Sequence, residues 1–286
     1  MTRTALVLGG GGITGIAWEL GILQGLAESG LDLTTADVVV GTSAGSVVGA
    51  QITAAQPLAD VYATQLEPPD HEIGARVARA TMARLLPPML IPGKPSRKLR
   101  RIGRLSMRTH PPGGEERIEV IRSRIGLEDW PERDLRITAV EAESGQFVAF
   151  NRRSGVDLVD AVAASCAVPL VWPAVTINGR HYVDGGMRST ANVDVARGAD
   201  VVVVLAPLPQ SFSKAATIGA QLRRIGPLEA AVITPDRQAL LDIGRNVLDP
   251  EKRADAARAG LRQARHVVEK VRAVWPARED VPAHDL

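Results

Sequence analysis

Gly41-Thr42-Ser43-Ala44-Gly45 sets a serine between two glycines, directly after the apolar run Val38-Val39-Val40. A serine on a sharp strand-to-helix turn has a strained backbone and an exposed hydroxyl, and small flanking residues let neighbouring backbones pass close. Its chemistry would be attack on a carbonyl, which needs a base for the proton and donors for the developing negative charge. Histidine is the usual base. Of the five, His71, His110, His181, His266 and His284, none stands in a strand-end loop after an acid, so a Ser-His-Asp triad is poorly supported. Asp184, in His181-Tyr182-Val183-Asp184-Gly185-Gly186, is the better candidate because it ends a strand and two glycines follow it. The plainer alternative is that it caps a turn, as most Asp-Gly pairs do.

A second loop, Gly9-Gly10-Gly11-Gly12-Ile13-Thr14-Gly15, also lies between an apolar run and a helix-like stretch. Backbone N–H groups and a helix N-terminus can converge there on a negative charge. Gly10, Gly12 and Gly15 match a dinucleotide fingerprint too, but that reading needs an acid at the end of the second strand. Here the strand runs into Gly41-Thr42-Ser43, and Asp32 stands before it. A purely structural tight turn is the remaining alternative. Lone Cys166 cannot form an internal disulfide and reads as packing. No cluster of His, Asp and Glu has ligand spacing, so neither a metal nor a cofactor is expected.

The elements that must hold these loops follow from the pattern. Strands are expected at 5–8, 37–40, 135–140, 146–150, 174–177, 180–183 and 201–205, the fifth and sixth forming a hairpin around Asn178-Gly179. Helices are expected at 13–28, 46–55, 157–167 and 249–275, the last as a solvated outer helix. This alternation implies an α/β fold with a mostly parallel central sheet flanked by helices. A chain of 286 residues, 45% hydrophobic, suits one large domain, or one domain plus a small addition. The apolar start is too short for a signal peptide and no stretch is long enough to span a membrane, so a cytoplasmic protein is expected.

A formal net charge of +2 hides an asymmetry: residues 71–114 sum to +9 and the rest to −7. Proline and glycine break this segment into basic helical pieces, with an apolar stretch at 81–92 beside them. Apolar residues next to a Lys/Arg cluster suit an anionic bilayer interface, here through residues 76–108; a lid helix with a solvated basic face is the alternative. No aromatics interleave the cluster, so nucleic acid is not an expected partner.

Together, the loops at Gly9–Gly15, Gly41–Gly45 and Asp184-Gly185-Gly186, in that order, resemble the patatin-like phospholipase family. The approach to the third, AASCAVPLVWPAVTINGRHYVDGG, is similar as well, and the resemblance covers about residues 4–206. It implies a three-layer α/β/α fold over residues 1–210 with a basic helical cap at 71–114 within it; beyond the resemblance, residues 211–286 are expected to form a C-terminal helical extension packed on it. It further implies Ser43 as nucleophile, Asp184 as general base and the N–H groups of Gly10, Gly11 and Gly12 as oxyanion hole, with Gly15, Gly41, Gly45, Gly185 and Gly186 as supporting positions. The implied activity is hydrolysis of lipid or phospholipid acyl esters, of phospholipase A or lysophospholipase type. A non-catalytic lipid-surface protein and an acyltransferase on the same dyad are the alternatives. Two departures stand out: Thr14 replaces a usual Arg or Lys, and Met187-Arg188-Ser189-Thr190-Ala191-Asn192 replaces the Asn and Pro that often follow the Asp-Gly-Gly.

Overall fold

The structure, a computed structural model, describes residues 2–69, 91, 93–109, 111, 114–211, 213–226 and 228–276. The apolar stretch at 81–90, Arg76, Arg79 and Arg84, and the histidines at 71, 110 and 284 lie outside the described residues.

Eight strands form one sheet: β1 (Thr4–Leu8), β2 (Val38–Gly41), β3 (Asp134–Glu141), β4 (Phe147–Phe150), β5 (Val175–Ile177), β6 (Arg180–Asp184), β7 (Val201–Leu205) and β8 (Glu229–Ile233). The hydrogen-bonded order is β5-β6-β3-β2-β1-β7-β8, with β4 also on β3. Strands β3, β2, β1, β7 and β8 are parallel, while β4, β5 and β6 add antiparallel pairs. The central strands are runs of Val, Leu and Ala with every residue buried, which is the composition that a sheet covered on both faces requires.

Nine helices stand among the described residues: α1 (Gly12–Glu28), α2 (Ala44–Thr53), α3 (Leu58–Thr64), α4 (Pro95–Arg108), α5 (Gly114–Ile125), α6 (Leu158–Ser165), α7 (Ile218–Ile225), α8 (Arg237–Ile243) and α9 (Arg253–Arg272). Helix α2 starts two residues before its expected position because Ser43 alone makes the turn from strand to helix. The region after residue 210 is not purely helical: β8 extends the sheet by pairing in parallel with β7. Helix α9 is solvated on one side only. Its Ala257, Gly260 and Ala264 press on Gly21 and Gly25 of α1, so closely that a Cβ on Gly21 would lie 2.2 Å from the Ala257 carbonyl oxygen.

The register around β3 positions the two candidate residues. Ile137 pairs with both β2 and β4, while Ala139 and Val140 pair with both β4 and β6. A strand has two edges, so β2 and β6 share one, on the side away from β4. Strand β2 runs out at Gly41 opposite Ile137, and β6 arrives from the other direction, ending at Asp184 opposite Ala139. The two strand ends therefore face each other across about two residues of β3, roughly 7 Å of strand.

Candidate active site

Ser43 occupies φ 52°, ψ −114°, a conformation that L-residues other than glycine avoid. Several bonds hold it there. Its N–H donates to Ser165 Oγ at 2.9 Å, and its carbonyl accepts from the Ser46 N–H at 2.9 Å and the Ser46 hydroxyl at 2.6 Å. Gly45 must be glycine, since a Cβ there would lie 2.1 Å from the Leu8 carbonyl oxygen. Ser43 is half-buried between buried neighbours.

Asp184 is 3% exposed, and its carboxylate lies within reach of the Ser43 hydroxyl. Burial pushes its pKa up to about 6, against the opposing effects of Ser43, the Gly186 N–H at 2.7 Å and the charge of Arg117. A carboxylate so placed is a stronger base than a solvated one and is still ionised at neutral pH. The segment after α6 wraps both residues: Ala167 O accepts from the Asp184 N–H at 3.0 Å, and the Cys166 thiol points at Ser43 O at 3.4 Å. Burial raises the Cys166 pKa, consistent with a packing role.

The glycine loop lies beside the serine, with Gly10 so close that a Cβ on it would be 3.5 Å from Ser43 Cβ. Its donors divide. The Gly10 N–H is taken by Thr190 O at 2.7 Å, so Gly10 gives close approach and not a free donor, contrary to the expectation from sequence. Among the described residues nothing accepts from the N–H of Gly11 or Gly12, at the N-terminus of α1. Gly12, at φ +62°, is pressed by Val247 O, which also accepts from the Thr14 N–H at 3.1 Å. Thr14 is fully buried, so this loop carries no charge toward the site. The Gly15 N–H closes on Gly11 O, Gly41 ends β2, and Gly185 and Gly186 form a short turn whose N–H holds Asp184.

Five contributors were given no role from sequence. Asn192, at φ 48°, directs its amide to Thr42 Oγ1, Thr138 Oγ1, Gly185 O and Ser189 O, tying the serine loop, β3 and the aspartate loop into one network. Thr42 and Thr138 join it through a 2.8 Å contact. Ser165 holds the Ser43 N–H. Glu19 is fully buried under the glycine loop, where it accepts from the Gly9 N–H at 2.8 Å and burial raises its pKa well above the usual range. A lone acid inside an apolar helix was the available signal for Glu19; the others carry none. Neither histidine among the described residues takes part: His181 pairs with Glu143 and His266 lies on α9.

The chain matches the model of the patatin-like phospholipase family over residues 6–197, two thirds of its length. It belongs to that family. Patatin-like phospholipases act on lipid esters, so the general activity is that of a lipid acyl hydrolase. Among solved structures, the chain is similar to VipD from Legionella pneumophila (TM-score 0.48, 13% identity, covering 94% of this chain and 67% of that one). It is also similar to ExoU from Pseudomonas aeruginosa in its complex with SpcU (TM-score 0.45, 15% identity, covering 95% of this chain and 52% of that one). It thus spans between half and two thirds of the length of those proteins. Among the described residues no helix is long and apolar enough to cross a membrane, and no group of His, Cys, Asp and Glu is arranged to hold a metal ion.

Proposed function

We propose that this patatin-like protein hydrolyses acyl esters of phospholipids, as a phospholipase A or lysophospholipase, through a Ser43–Asp184 dyad. The observation that carries the reading is the meeting of β2 and β6 on one edge of β3, which sets a strained serine against a buried carboxylate with a pKa of about 6. Ser43 Oγ attacks the ester carbonyl carbon as its proton passes to Asp184. Negative charge on the former carbonyl oxygen is met by the N–H groups of Gly11 and Gly12, reinforced by the N-terminal end of α1. Collapse breaks the ester bond, and the leaving alcohol takes the proton from Asp184. Water then repeats the sequence on the acyl-serine, releasing the fatty acid and restoring both residues. An acceptor alcohol in place of water would give the acyltransferase outcome from the same intermediate.

The surface that would meet a bilayer is α4. Leu99, Ile102, Gly103 and Ser106 form its buried face. Lys94, just before the helix, and Arg97, Arg104 and Arg108 on it are exposed on the opposite side. The test is direct: a fluorophosphonate probe labels Ser43, and ester hydrolysis falls at least about a thousandfold in Ser43→Ala and in Asp184→Asn. Hydrolysis retained in both variants overturns the dyad.

A further inference from the structure

Leu240 and Leu241 are 52% and 66% exposed, the two most exposed large apolar side chains among the described residues, and they are adjacent on α8. The buried side of this helix is supplied by Ala239 and Ile243, so the core does not use the two leucines. Exposed Arg237 opens the helix, and exposed Arg245 stands just past its end. The carboxylates close by are engaged. Asp236 accepts from the Ala239 N–H at 2.7 Å, and Asp242 pairs with Arg262 at 3.1 Å. An apolar pair framed by two cations is thus presented outward, the pattern of a surface made to be covered.

Its place in the fold identifies the cover. One row of paired residues crosses four strands: Gly41 pairs with Leu8, Leu8 with Leu205 and Leu205 with Ile233. These strands are parallel, so β8 finishes at the end of the sheet where the serine loop and the glycine loop begin. Helix α8 starts four residues after Ile233, and the chain then returns to that end, where Val247 O accepts from the Thr14 N–H and lies against Gly12. The helix is therefore tied on both sides to the end of the sheet that carries the dyad. Basic helix α4 stands at the same end, with Gly103 against Ala142. Three inter-strand steps, roughly 14 Å, separate β8 from β2, and α4 stands beyond β2 on the β3 side.

We infer that α8 is a membrane-insertion element: Leu240 and Leu241 enter the interfacial layer of an anionic bilayer while Arg237 and Arg245 meet its lipid phosphates. The choice of a lipid surface as occupant rests on the hydrolase reading above, although the binding itself needs no turnover. Apolar side chains supply shallow burial, and the arginines add an attraction that depends on anionic lipid. Contacts on both flanks, α4 and α8, turn the sheet end that carries Ser43 toward the bilayer. Residues 237–245 lie beyond the 6–197 match to the family, so the element belongs to this chain's own C-terminal region.

The test uses the full chain carrying Ser43→Ala, so that binding is read without hydrolysis, and vesicles of mixed phosphatidylcholine and phosphatidylglycerol. An environment-sensitive fluorophore on Leu241→Cys brightens and shifts to the blue on these vesicles. The same label on Glu229→Cys, exposed at the opposite end of β8, does not respond. Both carry Cys166→Ala, so that one thiol is labelled. Leu240→Ser with Leu241→Ser lowers vesicle partition at least about tenfold, with the thermal midpoint unchanged or raised. Arg237→Gln with Arg245→Gln lowers partition onto the anionic vesicles about twenty-five-fold, at roughly fivefold per charge, and leaves pure phosphatidylcholine unaffected. A silent label at 241, an equal response at 229, or a double serine variant that partitions like its parent overturns the inference and leaves the dyad standing. So does a concentration-dependent dimer that the serine substitutions abolish, since a second copy is then what covers the leucines. A wild-type protein that does not react with fluorophosphonate at Ser43 overturns the hydrolase reading instead, and the vesicle measurements decide the docking separately.

Discussion

Asp184 is where burial and chemistry pull in opposite directions. Its pKa, about 6 in the fold against 3.8 in the open chain, means that the native state holds a proton more tightly than the unfolded state. Folding therefore loses stability as pH rises from about 4 to about 6 and does not regain it above, a cost of about 3 kcal/mol at 1.36 kcal/mol per pKa unit. Two outcomes follow. The kcat/KM of the wild type falls below a pH of about 6, as the base becomes protonated. Asp184→Asn, inactive, has a higher urea midpoint than wild type at pH 8, and the gap closes by about pH 4, where the wild-type carboxyl is neutral as well. Urea titrations at the two pH values check this, and an Asn variant less stable at pH 8 contradicts the burial argument. Ser43 and Asp184 were legible in the sequence because their loops combine a chemically able side chain with glycines at strand ends. Asn192, Thr138 and Ser165 were not, because each is a common polar residue whose role exists only once three separate loops meet. The free donors of the glycine loop were half legible: four glycines announce close backbone approach, but which N–H stays free depends on Thr190, a partner 180 residues away.

At the scale of elements, the first seven strands were legible from their apolar runs, and α4 from its breakers and charge, while β8 and the meeting of β2 and β6 were not. Register is set by pairing, and no local pattern states that two strands share one edge of a third. Helix α4 shows how placement adds to composition. Gly103 fits against Ala142, just past the end of β3, where a Cβ would lie 2.3 Å from the Ala142 carbonyl oxygen. Ala142 lies three residues beyond Ala139, the partner of Asp184, so the basic helix is carried by the end of the sheet that holds the dyad. On the proposed reading, its outward charges are the ones that face an anionic bilayer. Neutralising Arg97, Arg104 and Arg108 together to Gln is expected to weaken partition onto vesicles containing phosphatidylglycerol by about a hundredfold, at roughly fivefold per charge. Neutral phosphatidylcholine vesicles serve as the control, and added salt should reduce the wild-type partition. Vesicle flotation with the Ser43→Ala protein as parent separates this from turnover. Unchanged partition in the triple variant assigns the basic face to solvent alone.

For the molecule as a whole, the boundary near residue 210 separates less than the sequence suggests. The polar, alanine-rich pattern of 249–275 gives no sign that small residues are placed for contact with another helix. In the fold, Gly260 of α9 meets α1 so closely that a Cβ on it would lie 2.2 Å from Trp18 O, and Gln263 links the Trp18 indole to Thr234 O. Strand β8 closes the β7 edge, and Val247 O rests on the N-terminus of α1, at Gly12 and Thr14. The later residues thus complete the core around α1, cap an open sheet edge and press on the loop that supplies Gly11 and Gly12. A fragment ending at residue 210 would expose the inner face of α1 and an unpaired β7, the kind of edge that leads to aggregation. It is expected to be insoluble or to lack a cooperative thermal transition, whereas the full chain unfolds in a single one. Size-exclusion chromatography, near-ultraviolet circular dichroism and fluorophosphonate labelling of the fragment check this. A monomeric fragment that melts cooperatively and labels at Ser43 would show that the site needs nothing beyond residue 210.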